Sequence, residues 1–210
     1  MLSSNPVLFI LMDLPFVVVT ATSLRNAAAI CIAMACIHLV TMLVAWLIVS
    51  RVRLWLRALV TVVVSTCVML LAREMVISLF PEVTTSLGMY LYLLSVNGMT
   101  LFQANFLDKK AKLGHVMGNA LAGVLGFSLI MALVALFREY FGAGMIWGIP
   151  VPSALRLSGI RAPFFGFIMV GFLLAFFRYF NKRLAGFRIV EAARRDAIYG
   201  ESGASKRDYL

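Results

Sequence analysis

Long uncharged runs constrain this chain more than any other feature. From Ala27 to Val49, Val83 to Leu107 and Val116 to Phe137 there is no Asp, Glu, Lys or Arg. About 20 apolar residues suffice to cross a hydrocarbon layer of about 30 Å as a helix, because each residue rises about 1.5 Å. Three further blocks read the same way. Asn5–Leu24 holds a single acid, and Leu54–Phe80 has an uncharged centre between Arg57 and Arg73. Ala162–Phe177 is shorter and rich in Phe. The chain is 62% hydrophobic and 13% charged, where a soluble domain carries about a quarter charged residues. These blocks predict an all-α integral membrane protein with six transmembrane helices. The opening "MLSSN" carries no basic residue, whereas a signal peptide starts with positive charge. The first block is therefore expected to be retained.

The net charge of +10 reads as membrane topology and not as nucleic-acid binding. With six crossings, the N-terminal side collects Arg51, Arg53, Arg57, Lys109, Lys110, Lys112, Arg178, Lys182, Arg183 and every basic residue after them. The other side holds only Arg25, Arg73, Arg138, Arg156 and Arg161. Lys and Arg favour the cytoplasmic side, so both termini are expected in the cytoplasm and the chain in the inner membrane. The expected organisation is a membrane domain over 1–183 and a basic tail over 184–210. The tail segment "NKRLAGFRIVEAARRDAIYG", residues 181–200, reads as a positive flank or as an amphipathic helix on anionic lipid.

Two of the six blocks are interrupted. The first breaks at "MDLP", where Pro15 lacks an amide hydrogen and crowds the carbonyl four residues back. The fourth breaks at "SVNGM", where Asn97 and Gly98 both weaken a helix interior. Each break lies near the middle of the first span of a three-span half, about 1–80 and 81–183. Three spans per half make the halves inverted, and paired breaks in inverted halves point to a site at the membrane midplane.

Asp13 stands at the first break. An acid at that depth costs about 2.5–3.5 kcal/mol on insertion scales and usually handles ions or protons. Asp13 is thus an ion-pathway candidate, with Ser95 and Asn97 across from it. The competing role is a cap on the second half-helix of its own span. His38, with Thr41 three residues on, reads as an interhelical contact. The pairs Arg73–Glu74 and Arg138–Glu139 read as interfacial anchors and ion pairs. No nucleophile–base pair, nucleotide loop or metal-ligand spacing occurs, so catalysis by this chain alone is not supported.

Three segments carry a family resemblance. "NPVLFILMDLPFVVVTATSLRNA", "SLGMYLYLLSVNGM" and "FREYFGAGMIWG" resemble, in order and spacing, the RnfE/NqrD branch of the Rnf and Nqr ion-pumping complexes. The likeness runs from about Asn5 to Gly148 and fades through the sixth span. It implies six spans in two inverted halves. It also implies an oppositely oriented RnfA- or NqrE-like partner among other redox subunits, and a [2Fe-2S] cluster held by cysteines from the helix breaks of both partners.

The chain departs from the family where the cluster would be held. The two cysteine positions are Pro15 and Gly98, and the glycine two residues before the first is Asp13. A following "GRAEAF" pattern becomes "FQANFL" over Phe102–Leu107. Clusters are held by thiolates, and proline and glycine have none, so no cofactor is expected in this chain. Cys31 and Cys36 lie about 140° apart around the second span, and Cys67 is on the third. They do not make a replacement ligand set.

The resemblance implies a membrane subunit of an ion-translocating electron-transport complex, without cluster ligands of its own. Two alternatives use the same architecture: a stand-alone transporter or channel-like protein, and a structural scaffold.

Overall fold

The computed structural model describes residues 13–108, 111–151, 158–176 and 179. The part of the first block before Asp13 and the basic tail lie outside the described residues. The chain divides into two compact units, Met1–Val170 and Gly171–Leu210. All sites discussed below belong to the first.

Helix α1 spans Leu14–Thr20, and Pro15 falls in its first turn, where the missing amide hydrogen removes no helical bond. Proline here starts a helix. Helix α2, Leu24–Leu47, opens on Ser23, whose side chain accepts from the Asn26 amide at 3.2 Å. After a short 3₁₀ turn at Val49–Arg51 comes α3, Leu54–Leu79. Helix α4, Pro81–Leu93, bends at Gly88, whose φ of 37° favours glycine. A 3₁₀ turn at Leu94–Val96 and the extended Asn97 separate α4 from α5, Gly98–Asn105. Helix α6, Leu113–Ala143, ends at Gly144 in the left-handed region and leads into a small hairpin, β1 Met145–Ile146 and β2 Ile149–Pro150. Helix α7 runs over Pro163–Phe176.

Helices α2, α3 and α6 are long and apolar enough to cross a membrane. Their packing is inside-out relative to a soluble bundle. On α3 the outward face carries Leu59, Val63 and Leu71, at 63%, 55% and 74% exposed, while Arg57, Thr61 and Ser65 point inward and are buried. In water that arrangement would be unfavourable by about 25 cal/mol per Å² of apolar surface. In lipid the outward Leu and Val side chains lose nothing, and the polar groups find partners inside. Helix α2 is the hub, packed against α3 and α6 along its length and against α4 and α5. At one end Met42, Ala45 and Val49 meet Ala104, Leu107, Val116 and Ala120; the alanines let the backbones approach closely.

Gly166 of α7 is one such close approach. A Cβ there would lie 3.1 Å from Val18 Cγ1 and 3.4 Å from the Val18 carbonyl oxygen on α1. A Gly166→Val variant is expected to lose about 1–3 kcal/mol by overpacking, read as a lower unfolding temperature in detergent. Gly126→Ala on α6, where a Cβ meets nothing within 4 Å, is the control and should unfold no lower than the wild type.

Candidate functional site

The two stretches expected to be breaks, around Asp13 and around Asn97–Gly98, meet. Asp13 is fully buried, and its Oδ1 accepts a hydrogen bond from the Gly98 amide at 3.0 Å, across 85 residues of sequence. Asp13 stands at the N-cap position of α1 but makes no side-chain cap bond to that helix. The expected cap on its own half-helix is therefore corrected: Asp13 caps α5, the helix that follows the other break. Gly98 is the first residue of α5, so its amide has no acceptor within the helix. A carboxylate at a helix N-terminus also complements the partial positive charge there.

Asn97 completes the cap. Its Oδ1 accepts from the Thr100 amide at 2.6 Å, and its Nδ2 faces Met34 Sδ at 3.0 Å. Ser95 turns the other way, donating to the Tyr92 carbonyl at 2.9 Å, and so stabilises the end of α4. Of the three sequence candidates, Asp13 and Asn97 converge on one helix terminus and Ser95 does not bond to either.

Arg57 holds the opposite end of α5. Its guanidinium donates to the carbonyls of Asn105 at 3.1 Å and Leu107 at 3.0 Å, and it is 5% exposed. A helix of eight residues, about 12 Å long, thus has an acid at its N-terminus and a base at its C-terminus. Both signs match the helix dipole. Sequence reasoning treated Arg57 as a topology marker. Its position three residues into a span was the available signal of a buried role.

Arg138 and Glu139 correct a second expectation. Both are buried, at 1% and 5% exposed, because α6 continues past them to Ala143. Arg138 Nη1 donates to the Val18 carbonyl of α1 at 2.6 Å. Glu139 accepts from the Leu24 amide at 2.5 Å and from the Gly148 amide at 3.0 Å. They tie helix ends and a hairpin together. Arg73 and Glu74 do pair, at 2.6 Å and partly exposed. His38 contacts Thr100 Oγ1 through Nδ1 at 2.8 Å, linking α2 to α5 as an interhelical contact.

The donor set at the joined breaks does not fit an iron–sulfur cluster. Proline and glycine stand where the resemblance would put ligands, and the neighbouring Asp13 side chain is bonded to the Gly98 backbone. Cys31, Cys36 and Cys67 carry free thiols on α2 and α3, and Cys36 Sγ lies 4.0 Å from Met75 Sδ. Among the described residues no three His, Cys, Asp or Glu side chains gather where they could hold a metal ion.

Residues 1–179 match the family model described as "Rnf-Nqr subunit, membrane protein". One component of the proton-translocating ferredoxin:NAD(+) oxidoreductase complex of Clostridium ljungdahlii is 29% identical over 106 residues. The matched region is 50% of this chain and 50% of that protein, so the chain spans about half the length of the curated relative it matches.

Proposed function

The chain belongs to the Rnf-Nqr family of membrane subunits, and on that premise we propose that it serves an ion-translocating electron-transport complex as a membrane subunit without cluster ligands of its own. In this reading six spans form two inverted halves, with the first and fourth spans broken. Both termini lie on the cytoplasmic side of the inner membrane. An oppositely oriented homologous subunit packs alongside, and further redox subunits complete the complex. The outward apolar face of α3 suits contact with lipid or with such a partner.

One observation carries the proposal: the Asp13–Gly98 hydrogen bond joins the two breaks. The architecture that serves a cluster in related proteins is kept here, and a carboxylate-to-amide bond holds it closed. An acid buried at membrane depth also suits ion or proton handling.

Purification from native membranes through a tag on this chain tests the reading. The expected result is a complex containing a homologous membrane subunit and flavin-bearing subunits, identified by mass. Iron analysis and visible spectra of this chain purified alone should show no cluster. A stable solitary monomer or homodimer would overturn the proposal in favour of a stand-alone transporter.

A further inference from the structure

Helices α2 and α5 face each other along a ladder of polar and sulfur-bearing side chains. Met34 meets Asn97 at 3.0 Å, and one turn on His38 meets Thr100 at 2.8 Å. One turn further, Met42 and Gln103 line a cavity of about 190 Å³ whose wall also includes Asp108, His115 and Asn119. The Gln103 side chain reaches back beside the His38 ring. Two fully buried side chains on this ladder have atoms left over. Asp13 Oδ2 has no close hydrogen-bond partner among the described residues, and His38 Nε2 has none but the neighbouring Gln103 side chain.

Buried polar atoms without protein partners cost about 1–3 kcal/mol each unless something bonds to them, and water is the usual partner. The cavity reaches as far as Gln103, and from there to Gly98 the helix rises about 7.5 Å, the length a file of two or three waters has to span. A cavity of this size holds several more, at about 30 Å³ each. The ladder has too few converging oxygens to replace the shell of a metal cation, but hydroxyl, imidazole and amide groups all relay a proton through water.

We propose that the α2–α5 ladder is a hydrated inlet that carries protons from the cavity beside Asp108 and His115 to the Asp13 carboxylate. The cavity is walled by Asp108 and Ala111 at the end of the span that the proposed topology puts on the cytoplasmic side, so the inlet opens there. That direction and the use of the proton rest on the function proposed above. Only O–H and N–H bonds change: a proton leaves cavity water, passes along the file and the His38 ring, and ends on Asp13 Oδ2.

Silver ion, close to water in size and reactive towards thiolates, tests the inlet in native membranes with the complex assembled. Cys31, Cys36 and Cys67 are first replaced by Ala. Single cysteines are then placed by Gln103→Cys, Thr100→Cys and Leu125→Cys, the last on the outward face of α6 at 61% exposed. Membranes are treated with silver, denatured and labelled with a fluorescent maleimide. Silver is expected to block Gln103→Cys and Thr100→Cys at least tenfold faster than Leu125→Cys. If Gln103→Cys is blocked and Thr100→Cys is not, the cavity ends at Gln103 and the inlet is overturned. Equal protection of all three also overturns it. Should Thr100→Cys fail to accumulate, His38→Cys gives the same reading. Silver access does not depend on copurification or ion pumping, so the inlet and the wider function fail separately.

Discussion

An Asp13→Ala variant is expected to unfold well below the wild type in detergent, while Asp13→Asn stays close to it. The difference lies in one acceptor. Alanine leaves the Gly98 amide buried with no bond, a loss of about 1–3 kcal/mol, and removes the charge that favours the α5 N-terminus, about another 0.3–1 kcal/mol. Asparagine keeps a carbonyl oxygen in the place of Oδ1 and loses only the charge. Unfolding temperature, followed by tryptophan fluorescence, reads the structural half of this prediction. Ion-coupled activity of the assembled complex reads the other half. The proposed function expects Asp13→Asn to assemble normally and to lose most ion-coupled turnover, because an amide cannot accept and release a proton. A fully active Asp13→Asn complex would leave Asp13 as a cap only. An Asp13→Ala variant as stable as the wild type would show that the Gly98 amide has found another acceptor, and the cap itself would fail.

Much of this organisation was legible in the residues. Apolar runs located α2 and α3 and the start of α6 to within three residues, though α6 runs six residues past Phe137, because a membrane span is a length and a composition before it is anything else. Asn97 and Gly98 marked the point where α4 gives way to α5, since neither residue favours a helix interior. The partner of Asp13 was not legible. A side chain two residues before a proline at a helix start has every local reason to cap that helix, and only the tertiary meeting of the two breaks directs it to Gly98 instead. Arg57, Arg138 and Glu139 misled for a related reason. Charges near the ends of apolar runs usually sit at the interface, but here each reaches a backbone group of another helix. The order of residues tells how deep a side chain lies along its own helix; it does not tell which neighbour will satisfy it.

By the same logic Glu139 carries weight in the fold. Its carboxylate bonds to the first amide of α2, Leu24, and to Gly148 at the turn of the β1–β2 hairpin. The Ser23 side chain serves the Asn26 amide, which leaves Leu24 to the carboxylate. Hydrogen bonds to a charged group are worth about 1.5–3 kcal/mol each, and Glu139→Ala removes two. Because α2 packs against α3, α4, α5 and α6, the loss reaches the whole bundle. Glu139→Ala is therefore expected to be strongly destabilised, recovered in much lower yield and unfolding many degrees below the wild type. Glu139→Gln, with one carbonyl oxygen left, should fall between the two. Glu82→Ala supplies the contrast: Glu82 pairs with Arg25 at 3.2 Å, but the side chains are 81% and 48% exposed. Exposed pairs contribute little, and that variant should match the wild type. If Glu139→Ala were no less stable than Glu82→Ala, the α2 terminus would not depend on this carboxylate, and the α6-to-α2 tie would carry no weight in the fold.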